Sequence, residues 1–144
     1  MNRIKILRAG IAILSVSILV TSCAPDNDED VLLPRDKFIG TWNMESNHTD
    51  PNQAATQNWE LIIEPYNSNS EIVALKNLDQ IGFDKTVVAL VSGTNLTIPD
   101  TTITLNGGGQ QTIQGTGSLH GSILHLDYTS FDGIVTDTAT ATSH

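Results

Sequence analysis

Few side chains in this 144-residue chain could do chemistry: one cysteine, Cys23, four histidines, His48, His120, His125 and His144, and 16 carboxylates. A metal centre needs three or four converging ligands. Only His125 lies on an expected strand with a carboxylate two residues on, Asp127, and the pair reads more simply as a solvated polar face. Glu60 and Glu64 share a strand face but stand roughly 13 Å apart at about 3.3 Å per residue, beyond the ~6.5–9.5 Å of an inverting glycosidase pair. No nucleophile elbow, zinc-protease helix or phosphate-binding loop occurs, and Gly107-Gly108-Gly109 has no helix behind it to hold a phosphate. A single cysteine allows no internal disulfide, and none lies in the body of the chain to serve as a nucleophile. The expectation is therefore no catalytic residue, no metal ligand and no cofactor.

The chemistry that the sequence does offer is at the N-terminus. Met1 to Gly10 is a basic region and Ile11 to Val20 an apolar run too short to span a bilayer comfortably, followed by small residues. Val20-Thr21-Ser22-Cys23 resembles the bacterial lipobox. The resemblance implies a signal peptide over 1–22 and acylation of Cys23 with fatty chains of the palmitate type, a membrane anchor worth about 0.8 kcal/mol per buried CH₂. The following Ala24-Pro25-Asp26-Asn27-Asp28-Glu29-Asp30 is a charged tether, and it is similar to the acidic export signal of Bacteroidota lipoproteins, implying exposure on the outer face of the outer membrane. After residue 22 the chain keeps 4 basic residues against 16 acidic ones, a net charge of about −12, which repels nucleic acid and anionic headgroups.

Something must position whatever surface the anchored chain displays. Residues 23–37 read as the lipidated cysteine and linker, and 38–144 as one β domain. Short apolar runs alternate with Gly, Asn, Asp, Ser and Pro clusters at roughly ten-residue spacing, the pattern of an antiparallel barrel or closed sandwich. Eight or nine strands are expected: Phe38–Met44, Asn58–Glu64, Glu71–Leu78, Thr86–Ser92, Asn95–Ile98, Thr101–Leu105, Gln111–Leu119, Ser122–Thr129 and Ile134–Thr142. His120-Gly121 reads as a two-residue type I′ turn, and Asp132-Gly133 as the next turn. Leu61, Ile63, Leu124, Leu126, Tyr128 and both tryptophans are expected inside. Gly115, Gly117, Ala139 and Ala141 are expected to open space among them.

Phe38-Ile39-Gly40-Thr41-Trp42 reads F-x-G-x-W, which is similar to the opening strand of lipocalins, of fatty-acid-binding proteins and of lipocalin-like lipoproteins of Bacteroidota. Val91 to Pro99 and Gly115 to Gly121 look like the same lipoproteins. The resemblance implies an all-β, antiparallel, lipocalin-like small barrel in which Gly40 permits close packing and the buried Trp42 closes the base. No arginine follows Arg35, so neither the late arginine of lipocalins nor the Arg-x-Tyr of fatty-acid-binding proteins is present. Two functions stay open. One is a non-enzymatic, outer-membrane lipoprotein holding a small apolar ligand. The other is a packed accessory or adhesion domain that binds a protein or glycan at its loops. Tyr66 and Phe131, at expected turn tips, would suit a sugar ring, and Asp100-Thr101-Thr102 and Asp137-Thr138-Ala139 resemble the O-glycosylation pattern of Bacteroidota. The lipobox is tested directly: Cys23→Ala should release the protein from membranes and abolish labelling by a fatty-acid analogue, and continued labelling would refute it.

Overall fold

The computed structural model describes residues 32–51 and 55–144, so the expected signal peptide, Cys23 and the acidic run lie outside the described residues. Eight antiparallel strands pair in sequence order, and the first closes on the last. They are β1 (Gly40–His48), β2 (Thr56–Pro65), β3 (Ile72–Lys76), β4 (Thr86–Ser92), β5 (Asn95–Thr104), β6 (Gln110–His120), β7 (Ile123–Phe131) and β8 (Thr136–Ser143). Met44↔Ser143 to His48↔Ala139 form the closing ladder. The barrel has two distinct ends. The β1 to β2 connection and residues 77–85, 105–109 and 132–135 join strands at one end, the mouth; 66–71, 93–94 and 121–122 join them at the other, the base.

Alternation sets the wall. On β2, Trp59, Leu61 and Ile63 are buried between more exposed neighbours, and on β7 Leu124, Leu126 and Tyr128 are buried while Asp127 faces out. An eight-stranded barrel has an interior just wide enough for its own side chains to fill. Here Met44, Leu61, Ile63, Leu75, Ile113 and Leu126, among others, fill it with at most 1% exposure.

Several expectations need correction. The two strands expected at Asn95–Ile98 and Thr101–Leu105 are one strand, β5, interrupted by a bulge. Ile98 pairs with Gly115 and Thr101 with Ile113, so Pro99 and Asp100 together face Gln114 alone. Proline cannot donate to the ladder, and a bulge is where a sheet accommodates it. The turn expected at His120-Gly121 is displaced by one residue: His120 pairs with Ile123, leaving Gly121-Ser122 as the turn. Gly121, with φ +62°, then occupies the first central position, as in type II′ rather than I′. Gly115 and Gly117 do not open the interior. A Cβ on Gly115 would lie 2.4 Å from the Asp127 carbonyl oxygen and 2.6 Å from the Tyr128 Cβ, and one on Gly117 would lie 2.6 Å from Leu126 Cδ2. Both are places where β7 closes on β6.

The F-x-G-x-W motif also acts differently from the expectation. Phe38 lies before β1 and is the fully buried plug of the base, while Trp42 is only half-buried and its Nε1–H donates to the Phe38 carbonyl at 2.9 Å. A Cβ on Gly40 would meet nothing within 4 Å, so close packing does not require the glycine; its φ of +146° does. Residues Pro34–Lys37, within the expected linker, form a short 3₁₀ turn bound to the base, with the Arg35 amide donating to Ser70 O at 3.2 Å. Two stability measurements follow. Gly115→Ala should cost about 1–3 kcal/mol by overpacking, against no resolvable loss for Gly109→Ala, where nothing stands within 4 Å. Phe38→Ala should cost about 3–5 kcal/mol and Trp42→Ala less; a reversed order in denaturant titrations would contradict this account of the base.

Candidate functional site

Parity along β1 sends Met44, Ser46 and His48 inward, and parity along β8 does the same for Asp137, Ala139 and Ala141. Near the mouth those positions turn polar, and β1 and β8 are neighbours, so the polar groups meet. The His48 ring, fully buried, places Nδ1 2.5 Å from Asp137 Oδ2. The other oxygen of Asp137 accepts from the amides of Thr49 and Asp50, each at 2.9 Å, and from the Thr49 hydroxyl at 3.2 Å. Trp59 Nε1 can only donate, and it donates to Ser46 Oγ at 3.0 Å; Ser46 Oγ lies 2.9 Å from His48 Nε2. With the ring neutral, this order puts its proton on Nδ1, facing the carboxylate.

A second carboxylate reaches the cluster from above. The connection 77–85 crosses the mouth and contains a 3₁₀ turn, Leu78–Gln80, that leaves no mark in the hydrophobic periodicity. Leu78 is fully buried, and Asp79 accepts from the Tyr128 hydroxyl at 2.8 Å and lies 3.7 Å from His48 Nε2. Asn77, Asp79 and Gln80 all have positive φ without being glycine. Such conformations cost of order 1–3 kcal/mol each and persist only where side chains impose them. Asn77 does so by donating to the Glu60 carbonyl at 2.8 Å and accepting from the Gly82 amide at 3.1 Å, and Gln80 donates to Gln57.

The two carboxylates are shifted in opposite directions. Burial raises the Asp79 pKa, and this outweighs the Tyr128 hydrogen bond and the nearby His48, which lower it. Burial also acts on Asp137, but hydrogen bonds from His48, Asp50 and Thr49 outweigh it and hold its pKa below the usual carboxylate range. The Tyr128 hydroxyl is driven far up by burial and by Asp79, so it stays a donor.

Serine, histidine and aspartate in this order make the relay of a serine hydrolase. Acyl transfer also needs room for a carbonyl carbon about 3 Å from the hydroxyl, and donors for its oxygen. Ser46 is 0% exposed and lines neither of the two hollows described next, so neither hollow gives its hydroxyl that room.

Both hollows open outward. A groove of about 440 Å³ lies on the outer wall where the β5 bulge parts the surface, lined by Pro99, Asp100, Gln114, Thr116, Asp127 and Thr138 among others. A smaller one of about 210 Å³ lies at the mouth between Asp50, Leu105, Gln111, Ser130, Val135 and Asp137, among others. Of the residues singled out from the sequence, His48 and Asp137 meet in the buried polar cluster and the His120 and His125 rings stand edge to face with centroids 5.8 Å apart; the others are not brought together. His125 Nδ1 lies 3.1 Å from Thr142 Oγ1 and Asp127 accepts from Thr140, each across to β8. Glu64 pairs with Lys76 at 3.6 Å. Tyr66 and Phe131 are exposed at opposite ends of the barrel and form no shared aromatic platform. Thr138 is exposed in the wall groove while its neighbour Asp137 is turned inward. Among the described residues, no three His, Cys, Asp or Glu side chains are arranged to hold a metal.

No family model matches the chain, and no curated protein matches it. Among solved structures it is similar to a candidate outer membrane protein from Bacteroides fragilis, at 16% identity and a TM-score of 0.45 over 78% of this chain. The overlap takes in 52% of that protein, so this chain spans about half its length, and the likeness is silent on function.

The opposed shifts give a pH signature. The raised pKa of Asp79 means that its ionised form weakens the fold at neutral pH, and this weakness is relieved as pH falls through its folded value. The lowered pKa of Asp137 adds stability above its ordinary value of 3.8, lost as pH falls through its folded value. Asp79→Asn should therefore leave neutral-pH stability equal or higher and remove the gain on mild acidification. Asp137→Asn should cost about 3 kcal/mol or more, since it breaks a buried pair. Denaturant titrations across pH 3 to 8 check both, and equal losses from the two variants would contradict the assignment.

Proposed function

We propose that this chain is a lipid-anchored protein of the bacterial outer membrane, exposed on the cell surface, whose barrel is a non-enzymatic accessory or adhesion module. In this reading the outside of the barrel does the work. Its wall and its mouth connections meet a protein or glycan partner, and the lipocalin-like strand order serves as a scaffold. The anchor and the surface address rest on Val20 to Cys23 and on the acids from Asp26 to Asp30.

The observation that carries the choice between a ligand carrier and a packed module is the filled interior. Phe38 plugs the base, Leu78 and the Asp79–Tyr128 hydrogen bond close the mouth, and Tyr128 and Leu126 occupy the space at the two glycines of β6. A carrier pocket typically encloses 300–1,000 Å³ and buries most of its ligand's surface. The hollows here are open rather than enclosed; the wall groove touches the buried Ile98 and Tyr128, and the mouth hollow reaches only as far as Ser130 and Asp137 at the edge of the polar core. The mouth supplies contact area for a partner through Phe83, Phe131 and Ile134, which are exposed on two of its connections or beside them.

An environment-sensitive apolar dye tests the packed interior. It should stay dark with the folded protein and brighten only through the unfolding transition; bright binding to the native state, displaced by fatty acids, would restore the ligand-carrier reading. A fluorophosphonate should leave Ser46 unlabelled, and labelling of Ser46 in the folded protein would overturn the non-enzymatic reading.

A further inference from the structure

We propose that the base of the barrel makes a second, apolar contact with the lipid surface beside the anchor, so that the mouth points away from the membrane. This rests on the acylation of Cys23 proposed above. The base is where the N-terminal segment is tied down: the Arg35 guanidinium donates to the carbonyls of Asn67 and Asn69, and the Arg35 amide to Ser70. The same connection is tied to β4, with the Val91 amide donating to Glu71 O at 2.7 Å and Ile72 paired with Leu90. Around this junction four large apolar side chains face solvent, Leu32 (68% exposed), Leu33 (39%), Tyr66 (51%) and Leu90 (48%), half of the eight exposed ones among the described residues.

The position of these residues along the chain selects the occupant. Leu32 is nine residue steps from Cys23, a reach of at most about 32 Å at roughly 3.3–3.6 Å per step. The anchored end therefore stays close to the bilayer. Charge agrees with this. Whereas the chain beyond residue 22 carries about −12, residues 32–37 and 66–71 hold Arg35 and Lys37 against Asp36 and Glu71 and are balanced, and the four acids Asp26, Asp28, Glu29 and Asp30 fall between them and Cys23. Apolar side chains in a locally neutral surface favour the interface of a zwitterionic membrane, and the acidic remainder is repelled from an anionic one.

The test uses the mature, acylated full chain in phosphatidylcholine vesicles, with one polarity-sensitive thiol dye at Leu90→Cys or at Ile134→Cys, the latter site on a mouth connection and 89% exposed. Brominated lipids should quench the dye at position 90 several-fold more than at position 134. Equal quenching, or stronger quenching at 134, overturns the proposal. A triple variant, Leu32→Ser, Leu33→Ser and Tyr66→Ser, changes only exposed side chains; it should stay on the vesicles and lose the quenching at 90. Retention of quenching shows that the patch is not the contact, and overturns it too. The mass of each preparation reports acylation separately, so a mature chain purified from its host that carries no acyl mass overturns the anchoring reading itself.

Discussion

The carboxylate of Asp137 joins the first strand to the last. It takes the His48 ring on one oxygen and two backbone amides of the β1 end on the other, across 87 to 89 residues of chain, at the point where the barrel must close near its mouth. Charge-assisted bonds of this kind are roughly twice as strong as neutral ones. A buried carboxylate with this many donors is well satisfied, and its position leaves little freedom to the strands on either side. The remaining members of the mouth follow. His48 orients Ser46, Ser46 receives the Trp59 ring N–H from β2, and Asp79 brings the 77–85 connection down onto Tyr128. Buried polar groups are costly when half-paired, so the cluster holds together or fails together.

Filling is the second constraint. A barrel of eight strands leaves a bore about one layer of side chains wide, and this chain fills it at both ends by different means. At the base an apolar ring, Phe38, is seated before the first strand begins, and Trp42 fixes the carbonyl beside it. At the mouth a polar core and a folded-over connection take that place. The asymmetry separates the two ends chemically, with the apolar junction at one and the loops at the other.

Much of this is legible in the sequence, and the reasons for the rest are specific. β2 and β7 can be read because their alternation is clean and their turns carry glycine or proline, and β4 because its continuous apolar run is bounded by Lys85 and Gly93. β5 reads as two strands because Pro99 interrupts any ladder, and only the partner's register shows that pairing resumes at Thr101. The Leu78–Gln80 turn is invisible because left-handed residues usually announce themselves as glycine, and here asparagine, aspartate and glutamine are held there by their partners. Gly115 and Gly117 mislead because a missing side chain suggests room, whereas here it marks a close approach of two strands. The polar core has a signal that parity could find. Once Ala139 and Ala141 are placed inside, Asp137 must follow, and a buried aspartate requires a donor such as His48 on the strand that closes against it.

The order of pairing has a kinetic consequence. Seven of the eight ladders join strands adjacent in sequence, so each can form with the short loop closure of a hairpin. The eighth joins β1 to β8 across most of the domain, and nearly all the long-range entropy of the fold is concentrated in that one joint. The meander can form piece by piece as a curved open sheet with two bare edges, and such edges invite pairing with other chains. Ser46, His48 and Asp137 sit on those edges. Their mutual attraction therefore favours the closed sheet over the open one, which opposes pairing with other chains as well as holding the finished barrel.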